Sequence, residues 1–174
     1  MTSAPSRAAE ARFREVFAHL PEVEAYARRR GSRDPEAIGA ETLTIAWRKL
    51  GDVPTDDARP WLYATARRLV WAERRKNRQP QRGNDAAQVA AFEPGAGLLD
   101  PELGRALAAL SARDREALLL VAWEDLTPAL AARSLGLTQA AFRVRLHRSR
   151  KRLRRLLEAD GAASPIPQAK VEEL

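Results

Sequence analysis

Phe13, Val16, Phe17 and Leu20 recur at i, i+3, i+4 and i+7, the spacing of a helix with one buried face. Residues 1–11 before them are small and polar and are expected to be loose, with order starting near Arg12. Pro21 suits the opening of a second short helix that runs through Val23 and Tyr26 to Arg29, and Gly31 ends it. Asp34 followed by Pro35 is an N-cap and first-turn pair. Behind it Ile38, Thr42 and Ile45, with Leu43, Ala46, Trp47 and Leu50, predict a broad buried face that stops at Gly51. Residues 52–59, with Pro54 and two adjacent aspartates, read as a loop, and Pro60 starts a long helix on which Leu62, Thr65, Ala66, Leu69 and Ala72 share one side.

From 79 to 99 the apolar period disappears into Gln, Asn, Gly, Ala and Pro, which predicts a flexible linker. Order resumes at Asp100-Pro101, a cap pair ahead of Leu103, Ala106, Leu107 and Leu110. Ser111 with Asp114 approximates a capping box before the apolar run 117–121 and Trp123. Thr127-Pro128 open a helix ending near Leu135, Gly136 makes a turn, and Thr138 caps a last helix over about 139–158. A short helix, a glycine turn and a longer basic helix are the marks of a helix-turn-helix, and the small Ala132 suits its tight crossing. The expected fold is therefore all-α: two small helical domains, 12–78 and 101–158, joined by a flexible linker at 79–100 and followed by a disordered tail at 159–174.

Charge changes the picture from fold to partners. Lys plus Arg number 30 against 23 acids, a net +7, and the excess is concentrated. Between 67 and 82 seven cations (Arg67, Arg68, Arg74, Arg75, Lys76, Arg78, Arg82) face the single acid Glu73, and between 143 and 155 eight cations stand without a carboxylate. One Arg-rich helix can be a solvated face; two such stripes on an otherwise mildly acidic chain point to a polyanion. The acid-ended tail could shield the last helix from nonspecific DNA. With no Cys and only His19 and His147, disulfide, zinc-ribbon and thiol chemistry are excluded, and neither a metal nor a cofactor is expected. No apolar run reaches the roughly 18 residues of a membrane span, and the first residues do not show a basic segment followed by an apolar core. The expected setting is cytoplasmic, with no membrane partner and no small-molecule substrate.

At helical pitch Tyr63, Arg67, Trp71, Arg74 and Arg78 fall within about 80° of each other, interleaving rings with guanidinium groups, and Arg68 and Arg75 flank them. Exposed, such a face stacks single-stranded bases and follows their backbone. A Trp71 packed beneath a neighbouring helix would merely border the stripe, so exposure decides. On the last helix Phe142, Leu146, Ser149, Leu153, Leu156 and Leu157 share one side. The other carries Gln139, Ala140, Arg143, Val144 and His147, placed to meet base edges, and Arg148, Lys151 and Arg155, placed to meet phosphate. His147 suits a neutral donor to phosphate or base better than a pH sensor, and His19 reads as an ordinary surface residue.

These residues resemble the extracytoplasmic-function (ECF) group of bacterial sigma factors, in the sigma-70 superfamily. Asp34-Pro35-Glu36-Ala37-Ile38, Glu41 and Ala46-Trp47-Arg48 are similar to the family's D-A-E-D-L-x-Q-E-x-F-x-x-A-W signature, its core-polymerase surface. The segment Trp61-Leu62-Tyr63-Ala64-Thr65-Ala66-Arg67 is similar to W-L-Y-x-I-A-R, which recognises and melts the minus-ten element. Leu126-Thr127, Ala132, Leu135-Gly136-Leu137 and Phe142-Arg143-Val144-Arg145-Leu146-His147-Arg148-Ser149-Arg150 resemble the helix-turn-helix that reads the minus-thirty-five element. The resemblance implies binding to core RNA polymerase through Asp34, Glu41 and Trp47, promoter DNA as the second partner, capture of an unstacked base by the loop 52–59, and control by an anti-sigma factor. Three departures stand out. Ala37 and Ala40 occupy positions where the family has Asp and Gln, Arg68 replaces the Asn that helps form the base pocket, and Pro128-Ala129-Leu130 replace an aromatic-Glu-Glu run. Two other readings of the basic helices are a dimeric helix-turn-helix regulator acting without core polymerase and a nuclease holding magnesium on Asp56, Asp57, Glu124 or Asp125. The adjacent acids of the second lack the spacing that phosphoryl chemistry requires, so no catalytic residues are expected.

Overall fold

A computed structural model describes residues 6–77 and 100–161. The chain divides into two compact units, Met1–Pro80 and Gln81–Leu174. Among the described residues there are eight α-helices and one short 3-10 turn, with no strand. The linker expected at 79–99, with Arg78 and Arg82, and the tail beyond 161 lie outside the described residues.

The first unit holds α1 (Arg7–Phe17), α2 (Leu20–Arg29), α3 (Pro35–Arg48), a 3-10 turn (Leu50–Asp52) and α4 (Arg59–Asn77). Order begins earlier than the apolar stripe suggested, because Ser6 accepts a hydrogen bond from the Ala9 amide at 3.2 Å and caps α1. Asp34 does the same for α3, its Oδ1 accepting from the Ala37 amide at 2.9 Å. Val16, Val23, Tyr26, Ile38, Leu43, Leu62 and Val70 form the buried centre. Two faces are rotated from their expected positions. On α3 Trp47 is 37% exposed, and on α4 Ala72 faces solvent while Tyr63 and Val70 go inward. Gly39 lets α2 approach α3, since a Cβ there would sit 2.8 Å from Glu24 Cγ and 2.9 Å from Leu20 Cδ1.

The second unit holds α5 (Pro101–Ala109), α6 (Ala112–Ala122), α7 (Pro128–Leu135) and α8 (Gln139–Gly161). Asp100, Ser111, Thr127 and Thr138 cap their helices as the sequence predicts. Gly136 ends α7 in the left-handed conformation, φ 65° and ψ 33°. Behind it the Leu137 amide donates to the Ala132 carbonyl at 2.9 Å, which closes a Schellman-type turn. Phe142, Leu146, Ser149 and Leu153 of α8 are buried with Leu107, Leu110, Leu120, Leu126 and Ala132. The helix-turn-helix crossing is tight because Ala131 and Ala132 present only methyl groups to it.

Candidate nucleic-acid and polymerase interfaces

The turn between α7 and α8 fixes which side of α8 faces outward. With Phe142 fully buried, Gln139, Ala140, Arg143, Val144, His147, Arg148, Lys151 and Arg155 are all exposed. Val144 is 51% exposed, an apolar side chain in the middle of a cationic helix. Burial against the core does not explain its position, and an apolar side chain so placed is suited to a thymine methyl. The later cations Arg148, Lys151, Arg154 and Arg155 are suited to phosphate. No carboxylate of α8 lies between 143 and 155 to neutralise them.

On α4 the ring-and-guanidinium face is only partly available. Trp71 is 56% exposed and the Arg67 guanidinium lies 5.8 Å from its ring centroid, so that edge presents a platform with a cation beneath it. Arg68 and Arg75 are exposed beside it, and Arg68 donates to Thr65 Oγ1 at 3.1 Å. Tyr63 corrects the expectation. It is 2% exposed and stacks on Tyr26 with centroids 4.8 Å apart and planes 11° from parallel. The Arg30 guanidinium covers the Tyr26 ring at 3.8 Å. Arg74 is likewise held inward, donating to the Arg30 carbonyl. The physical cause is α2, which packs across the Tyr63–Arg74 edge and turns it into core. The spacing of Tyr63, Ala66 and Val70 at i, i+3 and i+7 carried that signal, but the cations around it masked the apolar line. Glu73, the lone acid of this block, accepts from Ser32 Oγ and the Arg33 amide at 3.2 Å each and ties the α2–α3 turn to α4.

The loop at 52–59 is held at both ends. Arg12 of α1 donates to the Val53 carbonyl at 2.6 Å. Asp57 accepts from the Arg59 amide at 2.9 Å and from its guanidinium at 3.1 and 2.7 Å. Burial alone would disfavour ionisation of Asp57, but the Arg59 hydrogen bonds outweigh it and hold the carboxyl below its ordinary range. Thr55 and Asp56 stand exposed at the tip between these anchors.

Asp34, Glu41 and Trp47 all lie on the exposed side of α3. Asp34 and Glu41 share one line and Trp47 sits about 120° round from it. The small residues Ala37, Ala40 and Thr44 stand between them, also exposed. Trp47 meets the edge of Phe13 with centroids 4.9 Å apart, and the neighbouring Phe17 is 51% exposed. Their helical spacing marks Phe13 and Phe17 only as core positions; their place beside Trp47 extends this surface onto α1. Of the acids of the nuclease reading, Asp56 and Asp57 belong to the first unit and Glu124 and Asp125 to the second. Among the described residues no group of three or more acids and histidines could hold a metal.

With this geometry in view, comparison with known proteins is decisive. A family model for sigma-70 region 4 matches residues 101–153. The solved structure of CnrH in complex with the cytosolic domain of CnrY is similar at TM-score 0.61 and 27% identity, over 85% of this chain and 88% of that one. The second unit thus carries a sigma-70 region 4 domain, and the chain as a whole is similar to the extracytoplasmic-function sigma factors. A second similar structure is the sigma factor RpoE of Bartonella quintana in complex with the anti-sigma factor NepR, at TM-score 0.59 and 26% identity, over 84% of this chain and 96% of that one. No curated protein sequence matches. The sigma factor is a transcription initiation factor and not an enzyme. Among the described residues no helix is long and apolar enough to cross a membrane.

Proposed function

We propose that this sigma factor binds core RNA polymerase in the cytoplasm and carries it to a two-part promoter. The single observation that supports this most directly is the outward stripe of α8. Ala140, Arg143, Val144 and His147 are exposed on a helix whose opposite side is locked by Phe142, Leu146 and Leu153. Gln139, Ala140, Arg143, Val144 and His147 read the minus-thirty-five duplex, and Arg148, Lys151 and Arg155 hold its phosphates. Trp71, with Arg67, Arg68 and Arg75 around it, stacks an unpaired base of the melted minus-ten strand. The tip of the 52–59 loop captures a second base, extruded at a cost of a few kcal/mol that stacking and pocket contacts offset. Asp34, Glu41 and Trp47 dock on core polymerase. Ala37 and Ala40 make this face less polar than the family signature, so apolar contact to Trp47 carries more of the affinity. An anti-sigma partner is supported by the complexes in which CnrH and RpoE were solved.

The test is selection from a randomised promoter pool at fixed salt, followed by run-off transcription, with and without bacterial core polymerase. Recovery of a two-part promoter only with core is expected. Recovery of a palindrome without core would replace this reading with a dimeric regulator.

A further inference from the structure

The apolar residues that seat α8 give it affinity for the domain but little direction, because apolar burial scales with area and not with angle. A recognition helix needs more than that, since base edges are read by hydrogen bonds that fail with small displacements. A directional element comes from another helix. Ser149, fully buried on the inner face of α8, donates to Asp114 Oδ1 at 3.0 Å, across 35 residues of chain. The other oxygen of the same carboxylate, Oδ2, accepts from Ser111 Oγ at 2.8 Å and lies 3.8 Å from the Arg152 guanidinium. The Asp114 amide in turn donates to Ser111 Oγ at 3.1 Å.

The turn that carries Asp114 is itself anchored. The next residue, Arg115, is buried and its guanidinium donates to the carbonyls of Leu107 and Ala108 at 3.3 and 3.4 Å, at the end of α5. The first turn of α6 thus joins α5 on one side and α8 on the other. Since α8 has no carboxylate of its own between 143 and 155, a charge that tempers its cations must come from a neighbouring element.

We propose that Asp114 is a positioning residue for the recognition helix, with two separable actions. Oδ1 sets the rotation and height of α8 through Ser149. Oδ2 offsets the charge of Arg152, so that Arg152 contributes less than its neighbours to sequence-blind binding. The first action rests on the reading of α8 as the promoter-reading helix; the second concerns any DNA.

The experiment uses the full chain and the variants Ser149→Ala, Asp114→Asn, Arg152→Ala and the double variant Asp114→Asn with Arg152→Ala. All are first compared by thermal melting. Binding of each chain alone to random duplex is measured against salt. Discrimination between a selected promoter and one with a scrambled upstream element is measured with core polymerase. Asp114→Asn keeps an oxygen for Ser149 but loses the charge, so it should steepen the slope of log K against log salt by up to about 0.9 while retaining discrimination. That steepening should vanish in the double variant, as a direct coupling requires. Ser149→Ala should lower discrimination about tenfold, near the contribution of one base contact, with the salt slope unchanged. A purely structural role for Asp114 would lower the melting temperature and move neither quantity. Wild-type discrimination in Ser149→Ala overturns the first action. A wild-type slope in Asp114→Asn, or a steep slope that survives loss of Arg152, overturns the second. If the unmodified chain selects no promoter with core, the promoter reading fails and the first action with it, while the salt series still decides the second.

Discussion

Replacing Trp71 and Tyr63 in turn separates a ring that meets DNA from a ring that holds the fold, although both lie on one helix eight positions apart. Tyr63 is 2% exposed and its partner Tyr26 lies 4.8 Å away in a parallel stack. Its truncation to alanine removes a fully buried ring, at about 3–5 kcal/mol, and uncovers the Tyr26 face. For a domain of this size, at roughly 4–8 °C per kcal/mol, that is a fall of at least about 12 °C in melting temperature. Unit stability is itself only about 0.05–0.15 kcal/mol per residue, so Tyr63→Ala should leave the first unit marginal. Trp71 is 56% exposed and the Arg67 guanidinium lies 5.8 Å from its ring centroid. Trp71→Ala should therefore cost the fold about 1 kcal/mol or less. It should cost binding of single-stranded minus-ten oligonucleotide about 1–3 kcal/mol, or roughly 5- to 150-fold in Kd. Circular dichroism melts and fluorescence anisotropy of the oligonucleotide on the polymerase complex read the two effects, and Trp71→Tyr should restore most of the affinity. A Tyr63→Ala chain that melts like wild type yet loses the oligonucleotide, with Trp71→Ala unaffected, would refute the assignment.

Arg143→Ala should relax preference at one upstream base pair, costing about 1–3 kcal/mol there, whereas Arg155→Ala should weaken binding to every sequence alike and lower the salt slope by about 1; competition binding on single-base promoter variants distinguishes them. Gly39→Val should destabilise the first unit by about 2 kcal/mol, because its side chain would enter space that Glu24 and Leu20 occupy within 3 Å, while Gly51→Ala, with nothing within 4 Å of its new methyl, should stay within about 0.5 kcal/mol. Asp57→Asn should cost about 1 kcal/mol at neutral pH through loss of the paired hydrogen bonds to Arg59. Because the Asp57 carboxyl is held below its ordinary range in the folded chain, its contribution is complete above the unfolded value of about 3.9 and fades as pH falls through the folded one, so the gap between wild type and variant in urea melts should close only in that acid range. Arg12→Met should leave the melting temperature within about 3 °C of wild type but lower discrimination at the captured minus-ten base, since the Val53 carbonyl loses its strap; equal discrimination would free the loop from any dependence on α1.

Local chemistry alone determined much of this molecule. Asp34, Asp100, Ser111, Thr127 and Thr138 announce helix starts because their side chains satisfy amides three or fewer residues ahead, and Gly136 announces a helix end because a positive φ suits glycine. These are interactions within one turn, so they are written in consecutive residues. The helix-turn-helix and the outward stripe of α8 follow from them together with a 3.6-residue period that only one face could satisfy. On α4 the same reasoning misplaced an edge. A tyrosine among arginines reads equally well as a DNA platform or as core, and the choice fell to α2, which stacks Tyr26 and Arg30 against it. Trp47 went the other way: apolar by periodicity, it is 37% exposed and meets α1 at the edge of Phe13. The bond from Asp114 to Ser149 joins positions 35 apart, and the strap from Arg12 to Val53 joins positions 41 apart. Such pairings have no signature in either segment, because each depends on where other elements bring the two backbones, and packing is a property of the assembled helices and not of any one of them.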